Sequence, residues 1–167
     1  MRVPRELRVE LLVWRPADPA APLDLSRSWP RVLQVARDGG AGPPGVIVRP
    51  GEPVRAAAGR AATALGLRPP PEPRLLAVDQ QPDEGAYPEQ LSLIVDGGWL
   101  GAGDLASCDC DGHGLVWTPV TDLGRVALVH ALRVAVTGQD PPVLWRGAAG
   151  EGRGGAGFAG RRGGAVS

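Results

Sequence analysis

Apolar and polar residues alternate along LRVELLVW (7–14), and this period predicts a strand. RVLQVAR (31–37) alternates again, with apolar residues on both faces, and VIVR (46–49) is a short apolar run. Both are expected as strands, separated by the turn cluster DGGAGPPG (38–45). The period then changes. In PGEPVRAAAGRAATALGL (50–67), Val54, Ala57, Ala58, Ala61, Ala62 and Leu65 recur at helical spacing, predicting one continuous buried stripe. Pro50-Gly51 leads into this helix, Gly66-Leu67 closes it, and its other face carries Arg55, Gly59, Arg60 and Thr63.

After the break at LRPPPEP (67–73), RLLAVDQQ (74–81) and QLSLIVDGG (90–98) read as strands around the polar loop PDEGAYPE (82–89). Asp96-Gly97-Gly98 is expected to be a turn. GLVWTPV (114–120) reads as a strand stopped by Pro119. TDLGRVALVHALRVAVTG (121–138) predicts a helix with Val126, Val129, His130, Leu132, Arg133 and Val136 at helical spacing, Thr121 or Asp122 as its cap and Gly138 as its stop. From Gly147 the chain is Gly, Ala and Arg, with almost nothing to bury, and disorder is expected there. The order β-β-β-α-β-β-β-α predicts an α/β protein: an α/β/α sandwich around a mixed sheet with two main helices. The expected domain spans residues 1–146, and the tail spans 147–167.

Composition narrows the function classes. The formal net charge is zero, so no global field favours nucleic acid or an anionic membrane. All 18 basic residues are Arg, in a chain with 25 Gly and 18 Pro and no Lys or Asn. That pattern looks like high-GC coding bias and weakens any argument from arginine abundance. No run of about eighteen apolar residues occurs, so no transmembrane helix is expected. MRVPRELRVELLVW lacks the apolar region of a signal peptide. The two cysteines lie two residues apart, poor geometry for bridging distant elements, and a reduced, cytoplasmic protein is expected.

The helix at 50–67 also carries a motif. Glu52 is followed after seven residues by Arg60, and Gly66-Leu67 closes the stretch. PPGVIVRPGEP precedes it; RLLAVDQQP, LSLIVDGGWL and WTPVTDL follow in order. With these residues the chain resembles the Nudix hydrolase family, in the form common in actinobacteria, over residues 7–146. The family box reads Gly-x5-Glu-x7-Arg-Glu-hydrophobic-x-Glu-Glu-x-Gly-hydrophobic. Glu52 fits the first Glu, the leading Gly falls on Val46, and the closing pair comes one residue early. The resemblance implies the α/β/α sandwich and, in members with an intact box, Mg²⁺-dependent hydrolysis of nucleoside diphosphate derivatives.

The departures concern the acids that hold the metal in the family. Counted forward from Arg60, their positions hold Ala61, Ala64 and Leu65; counted back from Gly66, they hold Arg60, Thr63 and Ala64. Neither register offers the hard oxygen ligands that Mg²⁺ takes. Residues 46–68 carry Arg49, Arg55, Arg60 and Arg68 against Glu52 alone, and that charge repels a cation. Mg²⁺ is therefore expected only if hydrolysis survives by another route.

The candidate residues each have two readings. Glu52 is either a remnant catalytic and metal-binding residue or the loop partner of Arg60. Glu84 is the candidate catalytic replacement acid, with Asp79, Asp83, Glu89 and Asp96 beside it, against a reading of these acids as solvated turn residues. Arg49, Arg60 and Trp99 are candidate ligand contacts; Arg49 and Arg55 could grip phosphate or lie solvated. Trp99 could stack on a flat ligand, while core packing is expected to account for most of the five tryptophans. Cys108, Cys110, His113 and His130 make a zinc set on paper, but Cys-x-Cys is not the usual knuckle spacing.

The favoured expectation is a Nudix-fold protein with a degenerate box that binds a nucleotide-like small molecule or regulates a partner; a homodimer is one assembly open to it, and the sequence does not choose the oligomeric state. Membrane and nucleic acid are not expected partners. A divergent hydrolase using replacement acids, a recruited enzyme in the same cleft, and a protein-interaction module are the alternatives.

Overall fold

β1 (Glu6–Arg15) is apolar on both faces because it lies in the middle of the sheet and is covered on both sides. Val9, Leu11 and Val13 enter one core cluster, and Leu12 and Trp14 enter another on the opposite face. The computed structural model describes residues 5–26, 28–68, 71–82, 84, 88–101 and 114–149. Among these, the strands that follow are β2 (Arg31–Arg37), β3 (Gly40–Gly42), β4 (Gly45–Ile47), β5 (Leu75–Gln81), β6 (Gln90–Trp99), β7 (Leu115–Pro119), β8 (Val143–Trp145) and β9 (Ala148–Ala149). The helices are α1 (Val54–Ala64) and α2 (Val126–Thr137).

All nine strands form one mixed sheet in the order β3-β2-β1-β6-β5-β8-β9, with β4 on β1 and β7 on β2. β1 pairs with β6 in parallel, as β5 does with β8; the other pairs are antiparallel. α1 packs against β1 and β4, and α2 packs across β5, β6 and β1. The clusters on the two faces make the expected α/β/α sandwich. No helix among the described residues is long and apolar enough to cross a membrane.

α1 buries Ala57, Ala58, Ala61 and Ala62, with Leu65 just beyond, as the spacing predicts. Alanine combines high helix propensity with a small side chain, so the axis lies close to β1. Gly66, at φ 69°, turns the chain out of the helix. α2 departs from expectation. It buries Ala127, Leu128, Ala131, Leu132 and Val134, while Val126 and Val129 are 53% and 39% exposed. The helix is apolar on most sides, so periodicity does not fix its face. Thr121 and Asp122 do not cap it: they lie in a separate 3₁₀ turn (Val120–Asp122), and α2 starts after Arg125 with no side-chain cap. Gly138, at φ 71°, ends it as expected.

Asp96-Gly97-Gly98 is not a turn but part of β6, which continues to Trp99. There β1 passes from Leu12 to Trp14 while β6 passes from Asp96 to Trp99, a bulge that absorbs one extra residue. Glycine is required at its centre: a Cβ on Gly97 would lie 2.6 Å from Val13 Cγ2. The cluster expected as a turn at 38–45 contains β3 and the start of β4. At the other end, the hairpin of β8 and β9 carries the sheet to Ala149, three residues beyond the expected boundary, because Gly147, at φ 76°, turns the chain back on itself.

Candidate functional site

The loop before α1 is fastened to the helix by one carboxylate. Glu52 Oε1 accepts from Arg60 Nε at 3.1 Å, and Oε2 accepts from Arg60 Nη2 at 2.9 Å and from the Arg49 amide at 2.8 Å. Arg60 Nη2 also donates to the Ile47 carbonyl at 2.8 Å, tying β4 to the same pair. Both Glu52 oxygens are therefore engaged. The Arg60 hydrogen bonds, followed by that of the Arg49 amide, lower the Glu52 pKa to about 2 from an ordinary 4.5. A carboxylate with a depressed folded pKa stabilises the fold above its unfolded pKa, and the contribution disappears as pH falls through the folded value. Glu52→Gln should thus be less stable than the parent chain at pH 6, with the gap narrowing between pH 4.5 and 2. Urea midpoints at pH 6 and at about pH 2.5 read this; a gap of constant size would refute it.

The intact Glu52–Arg60 pair favours counting the box forward from Arg60. Ala61 is then 3% exposed and Leu65 6%, both inside the apolar cluster that holds Val9, Leu11, Val13 and Leu33. Leu115 and Trp117 pack against the same cluster. Ala64 is exposed but carries no oxygen donor. Mg²⁺ takes an octahedron of oxygen ligands, and these side chains are methyl and isobutyl groups. The residues present do not fit the metal of an intact box. Among the described residues, no three His, Cys, Asp or Glu side chains come together.

A cleft lies on the opposite face of the sheet, at the N-terminal end of α2. Period two and the registers of β1, β6 and β5 form two rows of side chains there. Glu6, Gln90 and Gln81 make one row, and Arg8, Ser92 and Asp79 make the next. Glu10 follows Arg8 on β1, and Arg125, just before α2, reaches down to it. Arg125 Nη1 donates to Glu10 Oε2, and Nη2 donates to Asp79 Oδ2 at 3.0 Å. The Glu10 and Asp79 side chains are 5% and 0% exposed, and Arg125 is 21% exposed. Burial opposes the Arg125 charge, but the two carboxylates outweigh it and raise its pKa. Asp79 Oδ1 accepts from the Gly147 amide at 2.9 Å, which fastens the β8–β9 turn to the cleft floor.

Two adjoining cavities open over these rows. One, of about 280 Å³, is lined by Arg8, Glu10, Arg37, Gly42, Pro43, Gln81, Gln90 and Arg125. The other, of about 400 Å³, is lined by Gln81, Pro82, Glu84, Pro88, Gln90 and Arg146. Gln81 and Gln90 belong to both.

The sequence-derived candidates are dispersed around this geometry. Glu84 lines the larger cavity, 3.6 Å from Arg146. Arg49 and Glu52 line a separate cavity of about 550 Å³ beside the α1 loop, and the Arg60 guanidinium is spent on Glu52 and Ile47. Trp99 is paired with Trp14 at the far end of β6 from Gln90. Core packing accounts for fewer tryptophans than expected: Trp29, Trp99 and Trp145 are 61%, 44% and 49% exposed. Glu89 pairs with Arg5 and Gln80, and Asp96 Oδ1 accepts from the Gly98 amide. Asp83, Cys108, Cys110, His113 and the tail from Gly150 lie outside the described residues. Sequence reasoning missed Glu10 and Arg125. The available signal was a carboxylate directly beside an apolar run, Glu10 before Leu11-Leu12-Val13 in LRVELLVW and Asp79 after Leu75-Leu76-Ala77-Val78 in RLLAVDQQ.

No family profile matches the sequence, and no curated protein does. Solved structures do match the fold. A MutT protein from Methanosarcina mazei Go1 aligns with a TM-score of 0.55 at 14% identity, over 84% of this chain and 99% of that one. The NUDIX domain of Shewanella oneidensis NrtR, solved in complex with ADP ribose, aligns with a TM-score of 0.55 at 14% identity, over 80% of this chain and 90% of that one. A MutT/nudix family protein from Enterococcus faecalis aligns with a TM-score of 0.52 at 16% identity over 71% of this chain, which spans 45% of that longer protein. The chain has the Nudix fold.

Proposed function

We propose that this is a Nudix-fold domain that binds a nucleotide-like small molecule in the cleft over Gln81 and Gln90 and lacks the Mg²⁺-dependent hydrolysis of an intact box. One observation carries the reading: the metal positions of α1 hold Ala61 and Leu65, packed within the core, and Ala64, while Glu52, the carboxylate of the loop before α1, is committed to Arg60 and Arg49. Metal-assisted hydrolysis needs the cation for charge stabilisation, and nothing on this helix holds one. The ADP ribose bound by the NrtR domain supports a nucleotide-like ligand. The cleft supports it too, with guanidinium and carboxamide groups in cavities of ligand size.

A thermal-shift screen of the full chain against ADP-ribose and nucleoside mono- and diphosphates, each with and without Mg²⁺, tests this. At a hundredfold excess over Kd, a ligand should raise Tm by about 8 °C, equally with and without the metal, and no AMP should form from ADP-ribose or from a nucleoside diphosphate. Metal-dependent stabilisation or turnover would favour the divergent hydrolase, with Glu84 the first acid to remove. No stabilisation, with elution as an oligomer, would favour the interaction module and overturn ligand binding.

A further inference from the structure

Two neutral carboxamides stand where the two cavities meet. Gln81 ends β5, Gln90 begins β6, and their Cα atoms are direct partners across the antiparallel pair. Cross-strand partners project to the same face, so both amides rise beside each other on the α2 side. Gln81 donates from Nε2 to Asp79 Oδ2 at 3.3 Å, leaving its Oε1 available. Gln90 has no side-chain hydrogen bond among the described residues.

The charges around this pair differ in availability. Arg125 is held between Glu10 and Asp79, and Arg8 contacts Glu6 and Glu10. Arg37 lines the smaller cavity with no carboxylate partner among the described residues; its one contact is a 3.5 Å hydrogen bond to the Pro43 carbonyl. The cleft therefore offers donors and acceptors together at its centre, the Arg37 guanidinium on one side and, on the other, Arg146 in a long exposed pair with Glu84 at 3.6 Å. A phosphate can use the guanidinium fork but cannot use a carboxamide acceptor. A planar ring edge with both N–H and ring nitrogen can pair with a carboxamide through two hydrogen bonds, as glutamine does with adenine.

The geometry points to a ligand that sets a nucleobase-type edge against Gln81 and Gln90 and an anionic group on Arg37. This rests on the ligand-binding reading above and adds the orientation and the part of the ligand that is recognised. Gln90 is the specificity residue and Arg37 the anion anchor.

Titration calorimetry of the full chain with AMP and with ribose 5-phosphate separates the two roles, because the second probe lacks the base. AMP should bind the parent chain on the order of tenfold tighter than ribose 5-phosphate. Gln90→Ala should weaken AMP far more than ribose 5-phosphate and so erase that advantage, whereas Arg37→Ala should weaken both probes by a similar factor. Gln90→Glu, nearly isosteric, reads the same ratio should the alanine variant not fold. If AMP keeps its advantage in the Gln90 variants, or never has one, the recognition proposed here is overturned while ligand binding stands. If neither probe binds the parent chain, the ligand-binding reading fails and this inference fails with it.

Discussion

Replacing Arg125 with methionine should lower the unfolding free energy by about 3 kcal/mol, measured by urea denaturation at neutral pH. The loss comes less from the missing guanidinium than from what it leaves behind. Glu10 is 5% exposed and Asp79 is fully buried, so removing their shared cation leaves Asp79 charged with neutral donors alone and Glu10 with Arg8 at 3.9 Å. Breaking a buried pair from one side costs roughly 3–5 kcal/mol; the lower end applies because Arg125 is itself 21% exposed. The three groups exchange for neutral ones more cheaply than Arg125 alone. Glu10→Gln, Asp79→Asn and Arg125→Met combined should recover most of the loss, since no charge is then buried without a partner. A single Arg125→Met variant within about 0.5 kcal/mol of the parent, the range of ordinary surface substitutions, would show that the triad does not hold the fold.

The second large effect separates two neighbouring positions on α1. In the register set by the Glu52–Arg60 pair, residues 61 and 64 are both acid positions of an intact box. Here Ala61 is 3% exposed within the apolar cluster, whereas Ala64 faces solvent. Ala61→Glu should cost about 3 kcal/mol or more, because it overfills the α1–β1 contact and buries a charge. Ala64→Glu should stay within about 0.5 kcal/mol of the parent. Thermal unfolding of both variants with and without Mg²⁺ gives the decisive comparison: the metal should not rescue Ala61→Glu. An Ala61→Glu protein as stable as the parent, and further stabilised by Mg²⁺, would reveal a latent metal site and overturn the reading of this helix as core.

Elements with a clear period were legible from sequence. The α1 stripe matches the buried set because its other face carries Arg55, Arg60 and Thr63, so only one orientation keeps charge in water. α2 offered no such contrast: Val126 and Val129 fit the period as well as Ala127 and Ala131, and the choice between them was made by the sheet. β8 and β9, of three and two residues, are too short to show a period, and depend on pairing with β5 and with each other. Gly97 illustrates another limit. Beside Gly98 it reads as a turn, but it serves a close approach to Val13 from a strand distant in sequence.

The candidate site was legible only as a loss. The missing box acids could be counted along the chain, and the Glu52–Arg60 pair lies within one local motif. The cleft could not be found that way, because register creates it. Glu10 comes from β1, Asp79 and Gln81 from β5, Gln90 from β6 and Arg125 from the residue before α2, and no spacing in sequence links these places. Only the pairing of β1, β6 and β5 brings them to one face.

The hydrogen bond from the Gly147 amide to Asp79 bears on when the cleft can form. Arg125 meets Glu10 across 115 residues, and Gly147 meets Asp79 across 68. The floor is thus closed by contacts of high sequence separation, which form slowly because loop closure precedes any gain from the contact. On the ribosome, Glu10 would have only Arg8 beside it until Arg125 had emerged, and the bond from Gly147 to Asp79, which needs a residue made later still, would close last. The cleft is therefore a late product of synthesis, complete only in a chain whose sheet has closed from both ends.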